Sequence, residues 1–228
     1  MIKATNKSIG ELVKNGIKKY GYKADLNYID TSEVTNMNHL FTWSKFVGDI
    51  SGWDTHNVKW ANYMFAHAIF DGDISSWDTS NIQDMSYMFY DTIFNQDISR
   101  WDTHNVEQMM CMFSESSFNS CIDGWDTSKC INMSHMFSYS LFNNDINGWD
   151  VHNVMDFEAM FAFSGFKGDI SNWTINKKAA YNDMLARTYY SKWLPSDIND
   201  VLCFYNEKEY DLYMERLKLE VMSGFLIK

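Results

Sequence analysis

The chain has 228 residues, a formal charge of −11, 46% hydrophobic and 17% aromatic residues, and one proline. This suits one domain or one short repeat array with a real core, and leaves no Pro-rich linker. The acidic balance argues against a grip on phosphate backbones, which needs clustered Lys and Arg, and no run of about 18 apolar residues exists to cross a membrane.

No apolar stretch of a signal peptide follows Met1-Ile2-Lys3, so the sequence predicts a cytoplasmic protein. Residues 1–23 hold six Lys against one Glu, a net of +5. Within them, Ser8-Ile9-Gly10-Glu11 has the form of a capping box. Ile9, Leu12, Val13, Ile17 and Tyr20 follow as an apolar stripe that stops at Gly21. The pattern predicts a helix near 9–20 within an N-terminal helical cap, residues 1–29.

From Asp30 the sequence repeats. Trp53, Trp77, Trp101, Trp125, Trp149 and Trp173 recur at one constant step, and the columns from Phe46 to Phe166 and from Ile50 to Ile170 keep the same step. Met-Phe recurs with them from Met64-Phe65 to Met160-Phe161, with Leu40-Phe41 as a degenerate first copy. Six copies tile Asp30 to Trp173 without an insertion. A unit this short cannot bury its own apolar face, but stacked units cover one another. Within a copy, Asp73-Ile74-Ser75-Ser76-Trp77 predicts a brief strand and Asp78-Thr79-Ser80-Asn81 a turn. Ile82, Met85, Met88 and Phe89 share one face of a short helix or 3-10 turn. The expected fold is therefore an α/β repeat solenoid, leucine-rich-repeat-like, with six 24-residue coils over 30–175 and helical caps at both ends. The C-terminal cap is read over 176–228, where Pro195-Ser196-Asp197 starts a helix and Leu212, Met214, Leu217, Leu219 and Val221 form an amphipathic tail.

Residues Phe70 to Phe89 read Phe-Asp-Gly-Asp-Ile-Ser-Ser-Trp-Asp-Thr-Ser-Asn-Ile-Gln-Asp-Met-Ser-Tyr-Met-Phe. This pattern resembles the BspA-like leucine-rich-repeat family typified by mycoplasma surface proteins, over about two thirds of the chain. The resemblance implies a solenoid and adhesion or protein binding, and brings no catalytic residues.

The acidic residues fall in columns. Asp49, Asp73, Asp97, Asp145 and Asp169 precede Ile, with Cys121 breaking the series; Asp54, Asp78, Asp102, Asp126 and Asp150 follow Trp, with Asp30 in the first copy. Stacked carboxylates invite a calcium ladder, but Asp-Thr-Ser-Asn is turn chemistry and the glycine-rich calcium repeat is absent. His56, His104 and His152 alternate with Ser32, Ser80 and Ser128. Two such His, about 9.6 Å apart across alternate coils, cannot share a zinc ion, though together they could form a pH-sensitive face. Cys111, Cys121, Cys130 and Cys203 match no metal or redox spacing and read as free thiols. No hydrolase, protease, phosphate-loop or dinucleotide motif occurs. The reading is a non-enzyme with no cofactor and no metal site.

Columns that vary while the core columns hold are read as surface. They are Trp60, Asp84, Gln108, Asn132, Asp156; Trp43, His67, Asp91, Glu115, Tyr139, Phe163; and Gly52, Ser76, Arg100, Gly124, Gly148, Asn172. Aromatic residues and Arg dominate binding hot spots, so the partner-binding candidates are Trp60, Tyr139, His67, Arg100 and Trp43. Packing of Trp43 and Phe163 on the caps is the competing account of those two. The expected function is a protein-protein interaction module. The alternative is an acidic decoy: residues 46–173 hold 18 Asp and Glu against 4 Lys and Arg, a net of −14, which suits a basic nucleic-acid-binding site on a target.

Overall fold

The computed structural model describes residues 1–186 and Thr188. The helices expected at 195–221 lie outside these residues. Among the described residues, strand β1 (Ile2–Lys3) pairs in parallel with β2 (Ile29–Asp30), Ile2 opposite Ile29, and one helix, α1 (Ile9–Tyr20), lies between them. No helix among the described residues is long and apolar enough to cross a membrane.

α1 covers the segment the apolar stripe marks. Its start differs from a capping box: Ser8 Oγ accepts the N–H of Thr5 at 2.9 Å and makes no bond to the first turn of the helix. Val13 and Ile17 stand one repeat step before Met37 and Phe41, and they pack on the same core. Gly16 allows the close approach, because a Cβ there would stand 2.6 Å from Leu26 Cδ2 and 2.7 Å from Tyr28 Oη.

Past β2 the units meet through isolated parallel bridges that advance by one repeat step at a time: Asn36 with Trp60, Trp60 with Asp84, and onward to Asp156 with Ala180. The bridges therefore fall at the start of the Met-Phe segment. The expected strand at 73–77 is instead an irregular stretch with a turn at Ser75-Ser76. The expected helical turn over 82–89 is a ribbon of consecutive tight turns. The reason lies in the backbone. Residues at two positions per unit are left-handed, among them His39 and Trp43 (φ 60° each), Tyr63 and His67 (56° and 57°), Tyr87 and Asp91 (58° and 49°), and Tyr139 (55°). A helix returns each N–H to the carbonyl four residues back; here the left-handed residues turn alternate peptides outward. Met37, His39, Phe41 and Trp43 donate to the carbonyls of Trp60, Asn62, Met64 and Ala66 at 2.8–3.0 Å. The intervening N–H groups close local turns, Leu40 to Met37 O and Thr42 to His39 O. The scheme repeats until Phe157, Ala159, Phe161 and Phe163 donate to Ala180, Asn182, Met184 and Ala186. Each left-handed residue costs about 1–2 kcal/mol, and the bonds to the next unit, at about 0.5–1.5 kcal/mol each, together with core burial, offset it.

Side chains add three more links at the unit period. Trp indole N–H groups donate to a carbonyl one unit back, as Trp101 to Ile74 at 3.1 Å and Trp125 to Ile98 at 3.1 Å. Thr31, Thr55, Thr79, Thr103 and Thr127 donate their hydroxyls to the Asp carbonyl one unit on, at 2.8–3.0 Å. Asn57, Asn81, Asn105 and Asn153 donate their amides one unit back, at 2.7–2.8 Å. The Trp and Thr bonds satisfy polar groups that packing would otherwise strip of water. Between them the Phe, Ile, Met and Trp columns form one continuous core. The pairing outruns the sequence motif at both ends, with Asp25 bridged to Asp49 and Ala180 to Asp156, because backbone bonds do not require the motif side chains.

Candidate interaction face

Met37 and Phe41 and their equivalents are buried, while most of the left-handed positions lie at the surface with the column that begins at Asn36; Cys111 and Ala159 are the buried exceptions. Trp60 belongs to the column that begins at Asn36. Asn36, Asp84, Asn132 and Asp156 each accept the N–H two residues on, at 2.8–2.9 Å. This is the Asx turn their side chains favour. Trp60 has no such acceptor, and Asn38 of the preceding unit supplies it, Oδ1 accepting the N–H of Asn62 at 2.8 Å. Trp60 thus stands where the local chemistry calls for Asn or Asp, compensated from next door, with 40% of its surface exposed. Asn62 also bonds Asp84 through its amide. Its Oδ1 is one of two buried side-chain atoms among the described residues without a partner.

The left-handed columns hold most of the surface rings. Trp43 stacks on His67 at 3.7 Å, and His67 meets the edge of Tyr90 at 5.0 Å. Tyr90 meets Tyr87 at 5.7 Å, Tyr87 stacks on Tyr63 at 4.3 Å, and Tyr63 on His39 at 4.8 Å. Six rings thus form one connected sheet across the first three units. Its polar edges are tied: His67 Nδ1 to Asp91 at 2.7 Å, and Tyr90 donating to Glu115 at 2.7 Å. Burial and the Glu115 carboxylate push the Tyr90 phenol up, and the Cys111 contact followed by burial does the same for Tyr87. Further along, Tyr139 stacks on Phe163 at 4.6 Å.

Of the sequence candidates, the ribbon therefore carries Trp60, Trp43, His67 and Tyr139. Trp43 also lines a groove beside α1 and is nonetheless 62% exposed. Arg100 lies elsewhere, exposed in the turn before Trp101, where its charge helps to lower the Asp97 carboxyl. Its column is not a paired strand. Tyr63, Tyr87 and Tyr90 were not singled out by the sequence. The signal for two of them was a second variable column, His39, Tyr63, Tyr87, Cys111, His135, four positions ahead of the Trp43 column.

The aspartate columns are turn acceptors. Asp49, Asp73, Asp97, Asp145 and Asp169 take the N–H two residues on at 2.7–2.9 Å. Asp54, Asp102 and Asp150 also take the ring Nδ1 of His56, His104 and His152 at 2.6–2.7 Å. The backbone N–H of the following Ser holds the Asp49, Asp73 and Asp97 carboxyls below the ordinary range, with the Ser hydroxyl as the second cause. A lowered folded-state pKa stabilises the fold above the unfolded value and loses that contribution as pH falls through the folded one. The melting temperature should therefore hold down to about pH 4, near the unfolded Asp value, and drop below it. Replacing Asp49, Asp73 and Asp97 together by Asn keeps a turn acceptor without a titrating group. It should flatten the acid limb of a melting-temperature profile; an unchanged limb would rule these carboxylates out.

Units of one length, bonded in register through the backbone and carrying rings on an outward ribbon, define a tandem-repeat protein. The chain belongs to the family described as Mycoplasma protein of unknown function, DUF285, whose model matches residues 12–117 and, overlapping, 92–194. No curated protein and no solved structure matches it.

Proposed function

We propose that the protein is a non-enzymatic, BspA-like and leucine-rich-repeat-like solenoid that binds a protein partner through the outward face of its ribbon, with Trp60 as the anchor. Trp60 carries the reading: a large, part-exposed indole occupies a position whose equivalents in four other units are turn-forming Asn or Asp. Indole anchors of this kind dominate interface energetics. The ring sheet from Trp43 to His39 and the Tyr139–Phe163 pair extend the contact surface, and the acids beside them set its charge.

The test is affinity capture from the native host followed by mass spectrometry, with the wild-type protein as bait. Trp60→Ala should weaken capture of the partner by about 30-fold or more, the effect of losing about 2 kcal/mol at a hot spot. Tyr139→Ala should weaken it less, Arg100→Ala not at all, and far-ultraviolet circular dichroism should stay unchanged in all three. Equal capture by Trp60→Ala would overturn the reading. Capture that is lost in about 0.5 M salt whatever the state of Trp60 would favour the acidic decoy, because screening at that strength acts on exposed charge.

A further inference from the structure

Charge is divided along the molecule. Residues 1–23 carry a net of +5 and residues 46–173 a net of −14, so the α1 end is positive although the chain is acidic overall. Lys14 and Lys18 stand one turn apart on the exposed side of α1. The apolar side of the same helix is spent on the core, where Ile9 and Val13 are buried. The side left to meet a partner is the basic one. Large apolar side chains lie beside it. Tyr22, Trp43 and Lys45 border the same open groove as Lys14. Val47 sits next to Tyr22 and donates its N–H to the Tyr22 carbonyl at 2.8 Å. Lys45 and Val47 flank the buried Phe46 and are both exposed. Lys23, one repeat step before Val47, adds a further charge to that column. Tyr22, Trp43 and Val47 are 52%, 62% and 41% exposed, so none of the three belongs to the core. Glu11 is the acid on the exposed side of α1, and Asp49 and Asp71 border the patch past Val47.

We propose that the α1 end docks on the surface of an anionic phospholipid bilayer, with its lysines at the lipid phosphates and Tyr22, Trp43 and Val47 among the headgroups. An anionic leaflet attracts a cluster of lysines, and the attraction fades within a Debye length of about 8 Å. Units advance by about 4.8 Å, so the aspartate columns from the third unit onward stand beyond that reach when α1 faces the lipid. The two ends of the charge distribution therefore orient the chain, positive end down and acidic array away. Lysines alone would suit any polyanion; the apolar members decide for a bilayer. Trp and Tyr settle at the boundary between headgroups and acyl chains, and lysine stems lie along apolar surface while their ammonium groups reach outward. A nucleic acid offers phosphates with no apolar layer beneath them. An acidic protein would need an apolar patch shaped to this one, whereas fluid lipids take its shape. Because the apolar side of α1 stays in the core, the docking is peripheral and yields to salt.

The probes are vesicles of phosphatidylcholine alone and of phosphatidylcholine with an equal amount of phosphatidylglycerol. The full chain should sediment with the anionic vesicles at about 0.1 M salt and be released at about 0.5 M, where screening lengths are only a few Å. With phosphatidylcholine alone it should stay in the supernatant. A lysine near an anionic surface is worth roughly fivefold in affinity, so Lys14→Gln combined with Lys18→Gln should weaken partitioning by about tenfold or more. Lys177→Gln combined with Lys178→Gln makes the same change of charge at exposed positions in the last described unit, and should leave partitioning almost unchanged. Trp43→Ala, which alters no charge, should weaken it by about threefold or more, the share of a part-buried ring. Trp60→Ala should have no effect, which separates this site from the ribbon face. Far-ultraviolet circular dichroism should be the same for every variant. No sedimentation with the anionic vesicles, equal sedimentation with both kinds, or equal losses from the two lysine pairs would each overturn the proposal. Indifference to Trp43→Ala would overturn it too, in favour of a site for polyanions such as a nucleic acid or an acidic protein.

Discussion

Phe113→Ala should remove about 3–5 kcal/mol of stability, a large share of the roughly 5–15 kcal/mol of an ordinary domain. Phe113 is completely buried, stacks on Phe118 at 4.0 Å, and lies between Phe89 and Phe137 at 5.6 and 5.8 Å. Its loss leaves a cavity in a mid-array unit, and neighbours on both sides lose a packing partner. Where each unit touches only its neighbours, stability is a sum of unit and interface terms, so a defect in the middle uncouples two halves. Urea unfolding followed by circular dichroism and Trp fluorescence should show a lower midpoint and a transition that broadens or splits. Phe41→Ala, in the first unit, should cost less and leave a single transition. A cost under about 1 kcal/mol for Phe113→Ala, below the range for a buried Phe, would mean that the Phe column does not hold the units together.

The second large effect should come from one backbone position. Ala159 has φ 50° and donates its N–H to Asn182 O at 2.9 Å. Proline cannot reach that φ and has no N–H to give, so Ala159→Pro should cost about 3 kcal/mol or more. Ala159→Gly should act in the opposite direction. Glycine avoids the left-handed penalty of about 1–2 kcal/mol and gives back about 0.4–1 kcal/mol through the freer unfolded chain. The net expectation is a gain of about 0.5–1 kcal/mol, or a few degrees in melting temperature. Ala61→Gly is the control, because Ala61 is buried and has no positive φ; there the same change should destabilise. If both glycine variants destabilise alike, residue 159 is not left-handed and the ribbon is wrong.

Much of the architecture is legible in the chain itself. The constant repeat step, the buried Phe, Ile, Trp and Met columns, the helix at 9–20 and the turn role of the aspartates all follow from residue type and spacing. Burial and side-chain-to-backbone bonds in turns are written in such patterns. The period also exposed Trp60 as an intruder in a polar column.

The path of the backbone within a unit was decided only by the tertiary structure. Ile82, Met85, Met88 and Phe89 have the spacing of a helix face, yet Tyr87 and Asp91 are left-handed and the segment is a ribbon. No glycine marks those positions; they hold Tyr, His, Trp, Cys, Glu, Asp, Ala and Phe, of which only His and Asp visit this conformation at all readily. The neighbouring units impose it, since each outward N–H finds a carbonyl in the unit that follows, as Tyr87 finds Met110 at 2.8 Å. The same bonds set which variable residues share a face. They gather Trp60, Trp43, His67 and Tyr139 with three tyrosines that the sequence did not single out, and they leave Arg100 in a turn outside the ribbon. Apolar spacing is a property of the single unit and survives in the sequence. The choice between an N–H turned back along its own turn and one turned toward the next unit depends on a partner that exists only once the units have stacked.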